Sequence, residues 1–440
     1  MHFEIKNWIK NNRHFVLMLI ILLIILAIAS TILLPKIKSY QVKKYCQEGK
    51  NYLLAGDLEK AKESYNKVLR INPDCPVAYH QLGTISLKYG DFDKAENYYN
   101  KALTLNPNLF VKQSSYLGLG SVYFFRGDYG KVVDYSNKSL AEEKMSLAER
   151  EEIEAMAYPM LGNSFFLLGD LNASLEYFNK SLELEIQNPQ TALATKESAY
   201  DGLGSVYLLL GEYEKALENF NKSIELESTS QIKYLPYLGI GQIYAFSKDY
   251  SKAKESLEKS LELIQKYTGV PGYVFNKAKI YNELGECYSN LENFTKAEEY
   301  FKKVLEMKEN AKFNTDYERA LAVVNAFWGL GEISLNFKNY NEAMAYFENG
   351  LKTISSVEPK YFTERITIDF FLITLHYEKS LTNYKKENIF EAKKEINKSL
   401  ELIKSLSVEN YSIIEKFQLF KDGKSIFQKV SFLEKELEGE

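Results

Sequence analysis

Few residues in this sequence have the type and spacing that chemistry requires. The three cysteines, Cys46, Cys75 and Cys287, are too few and too scattered for a disulfide framework or a cysteine-based zinc site. Cys46 and Cys75 could form one disulfide if they meet, but packing as small apolar side chains is the favoured interpretation. No histidine has a second histidine at metal-ligand spacing. The sequence therefore predicts no metal site and no cofactor.

Two further motifs resemble parts of active sites. Segments 118–120 and 239–241 read Gly-Leu-Gly and Gly-Ile-Gly, as in a dinucleotide-binding loop, but a tyrosine follows each where that loop has its third glycine. The paired acids Glu151-Glu152 and Glu298-Glu299 lack a partner base and are interpreted as solvated helix faces. No catalytic residue is predicted, and the chain is not expected to be an enzyme.

The charge of the chain argues against nucleic acid as a partner. Its 440 residues include 55 basic and 59 acidic side chains, which leave a net charge of -4. Such a balance gives no global positive field to attract phosphates. A content of 45% hydrophobic and 26% charged residues is typical of an ordered chain with an apolar core. We therefore expect an ordered protein that does not bind nucleic acid.

The first structural element that the sequence predicts is an apolar segment near the N-terminus. Residues 15–34 carry no charge and, as a helix, would span about 30 Å of hydrocarbon. They predict a single transmembrane helix, a signal anchor, between a short basic tail at 1–14 and a linker at 35–41. Cleavage after Ala29 stays an alternative, because a small-residue pattern precedes that position. We expect the remainder on the non-cytoplasmic side, although positive charges flank both ends of the segment.

Eight windows beyond this segment share one pattern of residue types. Each window has a marker glycine, a bulky residue nine positions later, a small residue twelve positions later and, in most windows, an aromatic residue sixteen positions later. Small residues allow two helices to approach closely, and the bulky ones fill the space between one unit and the next. The marker glycines are Gly49, Gly83, Gly120, Gly162, Gly204, Gly241, Gly285 and Gly331.

This pattern closely resembles the tetratricopeptide repeat, a helix-turn-helix unit with an L-G-x-x-Y element and a small residue in its second helix. The resemblance implies an all-α superhelical solenoid of eight to nine units over residues 42–406. Ala392 marks the ninth, degenerate unit, whose marker site is Ser380. Residues 407–440 are expected to form capping helices that shield the last apolar face. Glycines such as Gly56 and Gly127 should end first helices at positive φ, and Pro159 should kink the first helix of the fourth unit or mark its start.

The resemblance implies a non-catalytic scaffold, tethered to the membrane by residues 15–34, that binds protein or peptide partners in a concave groove. In this family the first helix of each unit lines the groove, and the residue after the marker glycine commonly points into it. Two alternatives remain, a self-assembling structural component of the envelope and a subunit that presents a substrate to a partner enzyme. No residue pattern encodes the identity of the partner or the oligomeric state. The predicted groove residues are Ser121, Asn163, Ser205, Gln242, Glu286 and Glu332, with Phe124 and Phe166 as apolar anchors for an extended or helical peptide.

Overall fold

The chain folds as a helical repeat solenoid. The computed structural model describes residues 12–141, 145–226, 233–266, 273–406 and 425–439. Within these residues it contains twenty α-helices and one π-helical turn, and no β-strand. The predicted all-α repeat fold is therefore confirmed. Contacts divide the chain into two compact units, residues 1–87 with 91–118, and residues 88–90 with 119–440.

The N-terminal apolar segment is divided between two helices. Helix α1 (Arg13–Ile28) has 16 residues and gives way to a π-helical turn at Ala29–Leu33. Helix α2 (Leu34–Leu54) follows and includes residues 35–41, expected as a linker, together with five lysines. At 1.5 Å per residue, α1 is about 24 Å long, less than the roughly 30 Å of a bilayer core.

No helix in the described part of the chain combines the length and the apolar character needed to cross a bilayer. This finding contradicts the predicted transmembrane helix at 15–34 and the single-pass location. The predicted placement of the repeats on the non-cytoplasmic side loses its basis with it. The basic tail falls mainly on residues 1–11, which lie outside the described residues.

The helices follow one another as antiparallel pairs, numbered here as repeats 1 to 9. Repeats 1 and 2 are α2 with α3 (Leu58–Ile71), and α4 (Pro76–Lys88) with α5 (Phe92–Thr104). Repeats 3 to 5 are α6 (Leu109–Phe125) with α7 (Tyr129–Leu140), α8 (Leu147–Leu168) with α9 (Leu171–Glu183), and α10 (Pro189–Leu209) with α11 (Tyr213–Glu225). Repeats 6 and 7 are α12 (Tyr234–Phe246) with α13 (Tyr250–Ile264), and α14 (Tyr273–Asn290) with α15 (Phe294–Asn310). Repeats 8 and 9 are α16 (Asp316–Asn336) with α17 (Tyr340–Ser355), and α18 (Phe362–Lys385) with α19 (Ile389–Ser405), and α20 (Ile426–Gly439) follows.

A left-handed turn residue joins the two helices of each repeat. Gly56 and Gly127 adopt φ of 77° and 71°, as the sequence predicts, and an aspartate after each caps the next helix. Asp57, for example, accepts a hydrogen bond from the backbone N–H of Lys60 at 3.1 Å. Repeats 6 to 9 make the same turn without glycine. The residues in those turns are Lys248, Glu292, Lys338 and Glu387, with φ between 59° and 62°.

An aromatic ring between two glycines links one repeat to the next. The ring of Phe178 is fully buried, and it lies against Gly162 of its own repeat and Gly202 of the following one. A Cβ at either glycine would overlap the ring. This contact explains the Gly-x-Gly motifs, because the first glycine receives the ring of the preceding repeat. The second glycine receives the ring of its own repeat at Gly204 and Gly331, and the side chain of Leu257 at Gly241. The same arrangement surrounds Tyr99, Phe220 and Phe301, with Gly118, Gly239 and Gly329 as the glycines of the following repeats.

Repeat 3 has a serine at the position of the aromatic ring, and a side chain of repeat 4 fills the space instead. Ser136 occupies the aromatic position, and a Cβ at the marker Gly120 would lie 3.1 Å from Sδ of Met160. Met160 stands two residues before Gly162, the place that a glycine takes in repeats 3, 5, 6 and 8. The flexible methionine therefore fills the volume that the missing ring leaves.

Pro159 lies inside α8 and does not mark its start, since this helix begins at Leu147. A proline has no N–H, so the carbonyl of Ala155 loses its helical partner. The hydroxyl of Thr195, in the next repeat, shares its one proton between the carbonyl of Thr191 at 2.8 Å and the carbonyl of Ala155 at 3.4 Å. The carbonyl that lacks a partner within α8 therefore takes part in a contact between repeats 4 and 5.

Repeat 9 keeps the pairing although its sequence is degenerate. Its two helices are joined where the hydroxyl of Ser380, at the marker site, donates to the carbonyl of Ala392 at 2.8 Å. Helix α20 buries Ile426, Phe427 and Val430 against the apolar cluster of the last two repeats. The remainder of the segment expected to cap the array, residues 407–424, lies outside the described residues.

Candidate functional site

The first helices line the inner side of the second unit. First helices of neighbouring repeats contact one another directly, α8 with α10, α10 with α12, α14 with α16 and α16 with α18. Second helices of neighbouring repeats make at most marginal contacts. A stack whose first helices are closer together than its second helices must curve with the first helices inside. We call the surface formed by α8, α10, α12, α14 and α16 the inner face.

Three of the predicted groove residues, on α8, α10 and α12, are half-buried, and each donates one side-chain hydrogen bond within the protein. The side-chain nitrogen of Asn163 donates to the carbonyl of Pro159 at 2.9 Å. The hydroxyl of Ser205 donates to the carbonyl of Asp201 at 2.8 Å, and the side-chain nitrogen of Gln242 donates to the carboxylate of Glu283 at 2.7 Å. The side-chain oxygens of these three residues accept no bond from the described part of the chain. Ser205 is thereby left with only its oxygen as an acceptor, whereas the amides of Asn163 and Gln242 each have a second N–H beside their oxygen.

The acidic members of the predicted set lie further along the same surface. Glu286 on α14 and Glu332 on α16 are both exposed. Glu283, one turn before Glu286, is less accessible, and burial raises the pKa of its carboxyl against the opposing effects of Lys279 and Gln242. Burial also lowers the pKa of Lys279. Glu286 and Glu332 are therefore the exposed carboxylates that a ligand would meet here.

The two predicted apolar anchors take part in the packing of the protein itself. Phe166 is half-buried against the cluster of Phe178 and Leu203 between repeats 4 and 5. Phe124 is half-buried on α6, with its ring centroid 5.6 Å from that of Tyr129. Ser121, also on α6, is half-buried. Each anchor therefore offers a ligand only the part of its ring that this packing leaves exposed.

One contact that the sequence did not indicate joins repeat 3 to repeat 9. The ring centroids of Tyr129 and Tyr361 are 4.9 Å apart, and the backbone N–H of Tyr129 donates to Oη of Tyr361 at 3.1 Å. Burial, with the nearby carboxylates of Glu318 and Glu364, raises the pKa of Tyr129. These residues are 232 positions apart along the chain. The curvature of the second unit therefore brings the inter-helix turn of repeat 3 against the start of α18.

Replacing Tyr361 by phenylalanine should release this contact selectively. The ring stays, but Oη no longer accepts the bond, and a bond of about 1 kcal/mol corresponds to roughly five-fold faster hydrogen exchange of the Tyr129 amide. The amide of Tyr213, at the same position of repeat 5, serves as the internal control and should be unaffected. Exchange measured by NMR or mass spectrometry would contradict the contact if both amides kept their wild-type rates.

The described residues do not assemble a metal-binding group. Among them no cluster of three or more His, Cys, Asp or Glu side chains has the arrangement to hold an ion. The buried pair His376 and Glu395, 2.6 Å apart, lies in repeat 9 with Lys379 and Lys398 around the carboxylate. Those contacts lower the pKa of Glu395 to about 2 although burial opposes them, which suits a structural ion-pair network.

Comparisons with known proteins agree with this architecture. Structures of the apo form of RapI and of a signal transduction ATPase with numerous domains from Pyrococcus horikoshii, which has a tetratricopeptide repeat sensor, are similar in fold. The RapI structure has a TM-score of 0.54 at 16% identity, over 84% of this chain and 98% of that one. The ATPase has a TM-score of 0.56 at 15% identity, over 83% of this chain but only 53% of that one. At these identities the likeness shows the fold alone.

Sequence comparison identifies the repeats themselves. No curated protein matches the chain. Family models described as Tetratricopeptide repeat match residues 42–75, 76–109, 152–227 and 234–310, which together make up about half of it. These ranges cover repeats 1, 2 and 4 to 7 as the structure defines them. The constant offsets, the paired helices and these matches agree, and the chain belongs to the tetratricopeptide repeat family.

Proposed function

We propose that this protein is a non-catalytic scaffold that holds a peptide segment of a partner protein on its inner face. Tetratricopeptide repeats are typical of protein interaction scaffolds and are generally non-catalytic. The segment lies along the inner face past Asn163, Ser205, Gln242, Glu286 and Glu332, and it continues at one end to Ser121 on α6 of repeat 3. It is extended or helical, and it presents hydrogen-bond donors.

The observation that carries this proposal is the chemical bias of the inner face. Asn163, Ser205 and Gln242 each use one donor on a protein acceptor, which fixes their side chains, and their oxygens accept no bond from the described part of the chain. Glu286 and Glu332 add exposed carboxylates at one end. A surface of acceptors and negative charge favours backbone N–H groups and lysine or arginine side chains, because these supply donors and the opposite charge.

The orientation of the bound segment follows from the apolar and acidic residues among the predicted set. Phe124 and Phe166 stand at the end formed by repeats 3 and 4, and the two carboxylates stand at repeats 7 and 8. We therefore propose that the bound segment has apolar side chains at one end and basic side chains at the other. Such a segment would bind in one orientation only.

Binding should weaken when the two carboxylates are neutralised. Short peptides selected from a displayed library on the full chain are the probes, and fluorescence anisotropy gives their Kd. Two partly exposed charges contribute roughly 1–2 kcal/mol together, so Glu286→Gln with Glu332→Gln should raise Kd about five- to thirty-fold. The selected peptides should be enriched in lysine and arginine.

The matched control removes two carboxylates from second helices. Glu214 on α11 and Glu299 on α15 are exposed, and Glu214→Gln with Glu299→Gln changes the net charge equally. This control should leave Kd within about two-fold of wild type, since distant charges are screened. An equal loss in both double variants would indicate general electrostatic attraction and contradict a site on the inner face.

A further inference from the structure

Two cysteines that are far apart in the sequence lie side by side in the first unit. Cys46 is on α2 of repeat 1, and Cys75 directly precedes Pro76, the first residue of α4 in repeat 2. Both belong to one apolar cluster, which includes Tyr65 and Leu82. Each thiol lies within reach of the other in this cluster, and both cysteines are free.

The surroundings of Cys75 stabilise a thiolate. Cys75 is the N-cap of α4, since its carbonyl accepts the N–H of Tyr79 at 3.3 Å. A hydrogen bond from Cys46 and, against burial, the backbone N–H groups of Ala78 and Val77 lower the pKa of Cys75 to about 6. A helix N-terminus has this effect because its N–H groups and dipole favour negative charge. Cys46 has a raised pKa, because its proton is held in the bond to Cys75.

We propose that Cys46 and Cys75 are a redox-active pair that closes reversibly into a disulfide between α2 of repeat 1 and α4 of repeat 2. Cys75 is the attacking residue, and Cys46 is the resolving residue. Cys46 is also the more accessible of the two, half-buried where Cys75 is 7% exposed. This site is independent of the peptide-binding inner face proposed above, which belongs to the second unit.

The oxidant is a hydroperoxide, and the steps balance with hydrogen peroxide. The Cys75 thiolate attacks one peroxide oxygen, so an S–O bond forms, the O–O bond breaks and hydroxide leaves. The sulfur of Cys46 then attacks the sulfur of the resulting sulfenic acid. An S–S bond forms, the S–O bond breaks, and the Cys46 proton goes to the departing hydroxide to make water. Two thiols lose two electrons, and the peroxide gains them. A dithiol such as dithiothreitol reverses the reaction by exchange.

Cys287 is expected to be less reactive than Cys75. It is 1% exposed on α14, and burial raises the pKa of its thiol. No other cysteine lies near it in sequence, and it packs in an apolar cluster with the carboxyl groups of Glu283 and Glu286 nearby, which also raise its pKa. We expect Cys75 to react with iodoacetamide at least about ten-fold faster than Cys287 at neutral pH, because the thiolate is the reacting form.

Peptide mass spectrometry of the full chain tests the pair. The protein is treated with hydrogen peroxide, alkylated, digested without reduction and compared with an untreated sample. The expected product is a peptide cross-linked through Cys46 and Cys75, present also in Cys287→Ser and lost after dithiothreitol. If both cysteines stay fully alkylatable after peroxide, or become over-oxidised without cross-linking, the proposal is overturned.

Two further variants separate the roles of the pair. In Cys46→Ser, the sulfenic acid on Cys75 has no resolving partner and should be trapped by dimedone. In Cys75→Ser, Cys46 should stay reduced. Dimedone labelling of Cys46 in Cys75→Ser at the rate of Cys75 in Cys46→Ser would contradict the assignment. Circular dichroism checks folding, and the wild-type and Cys287→Ser comparison decides the matter even if either variant misfolds.

Discussion

Replacing Phe178 by alanine is expected to lower the free energy of unfolding by about 3–5 kcal/mol. The ring is fully buried between Gly162 and Gly202, and glycines have no side chains that could move into the space it leaves. The cavity should therefore persist, and the contact between repeats 4 and 5 should weaken. Urea unfolding followed by circular dichroism measures the loss, and hydrogen exchange should localise it to α8, α9 and α10.

A surface variant on the same helix and a glycine variant serve as controls. Glu176→Ala changes an exposed residue of α9 and should cost no more than about 0.5 kcal/mol. Gly202→Ala places a methyl group against the ring and should cost about 1–3 kcal/mol, with a smaller cost in a Phe178→Leu background. If Phe178→Ala cost less than about 1 kcal/mol, the ring would not be the link between these repeats.

Filling the inner face should abolish peptide capture. Asn163→Trp with Gln242→Trp places two indoles on α8 and α12, in the middle of the proposed path of the peptide. We expect a loss of affinity of at least about a hundred-fold, because the segment would have to leave the inner face and give up its contacts there. Anisotropy with the selected peptides measures the loss, and circular dichroism should show unchanged helix content.

The control introduces the same two side chains on second helices. Glu214→Trp with Glu299→Trp should leave peptide affinity unchanged, since both positions are exposed on α11 and α15. Unchanged capture by the inner variant would place binding on the second helices or the inter-helix turns. Equal loss in both variants would show that added indoles perturb the protein wherever they stand.

The repeat architecture could be predicted because its signals are local. A marker glycine, a small residue and a bulky residue at constant offsets all lie within one helix pair, so a single window contains the evidence. The Gly-x-Gly motifs were correctly assigned to the repeat, but the role of their first glycine was not apparent. Gly202 receives Phe178 from the preceding repeat, and a pattern aligned on one repeat does not show that contact.

Features that depend on how several elements are arranged in space could not be predicted from the sequence. The apolar segment at 15–34 suggested one long helix, yet a π-helical turn at Ala29–Leu33 divides it, and no periodicity marks that turn. The contact between Tyr129 and Tyr361 depends on the summed curvature of several repeats. The meeting of Cys46 and Cys75 was considered, but the hydrogen bond between them and the cap at α4 arise only from the fold.

The candidate site residues stay a prediction, and their bonding could not be predicted from the sequence. The resemblance indicated which residue of each first helix to examine, and the structure describes Asn163, Ser205 and Gln242 on that inner layer. Their bonding depends on neighbours that no general pattern specifies, namely the carbonyls of Pro159 and Asp201 and the carboxylate of Glu283. Those bonds fix the orientation of all three side chains, and at Ser205 they leave only the oxygen for a ligand.

Site-specific photocrosslinking tests whether the inner face holds the partner segment. A photoreactive amino acid is placed at Ser205 on α10 or at Glu214 on α11, nine residues along the chain and on the other helix of the same repeat. A selected peptide is bound, the sample is irradiated, and products are identified by mass spectrometry. If the peptide binds on the inner face, crosslinks form from position 205 and none form from position 214. Crosslinks from position 214 alone would contradict binding there.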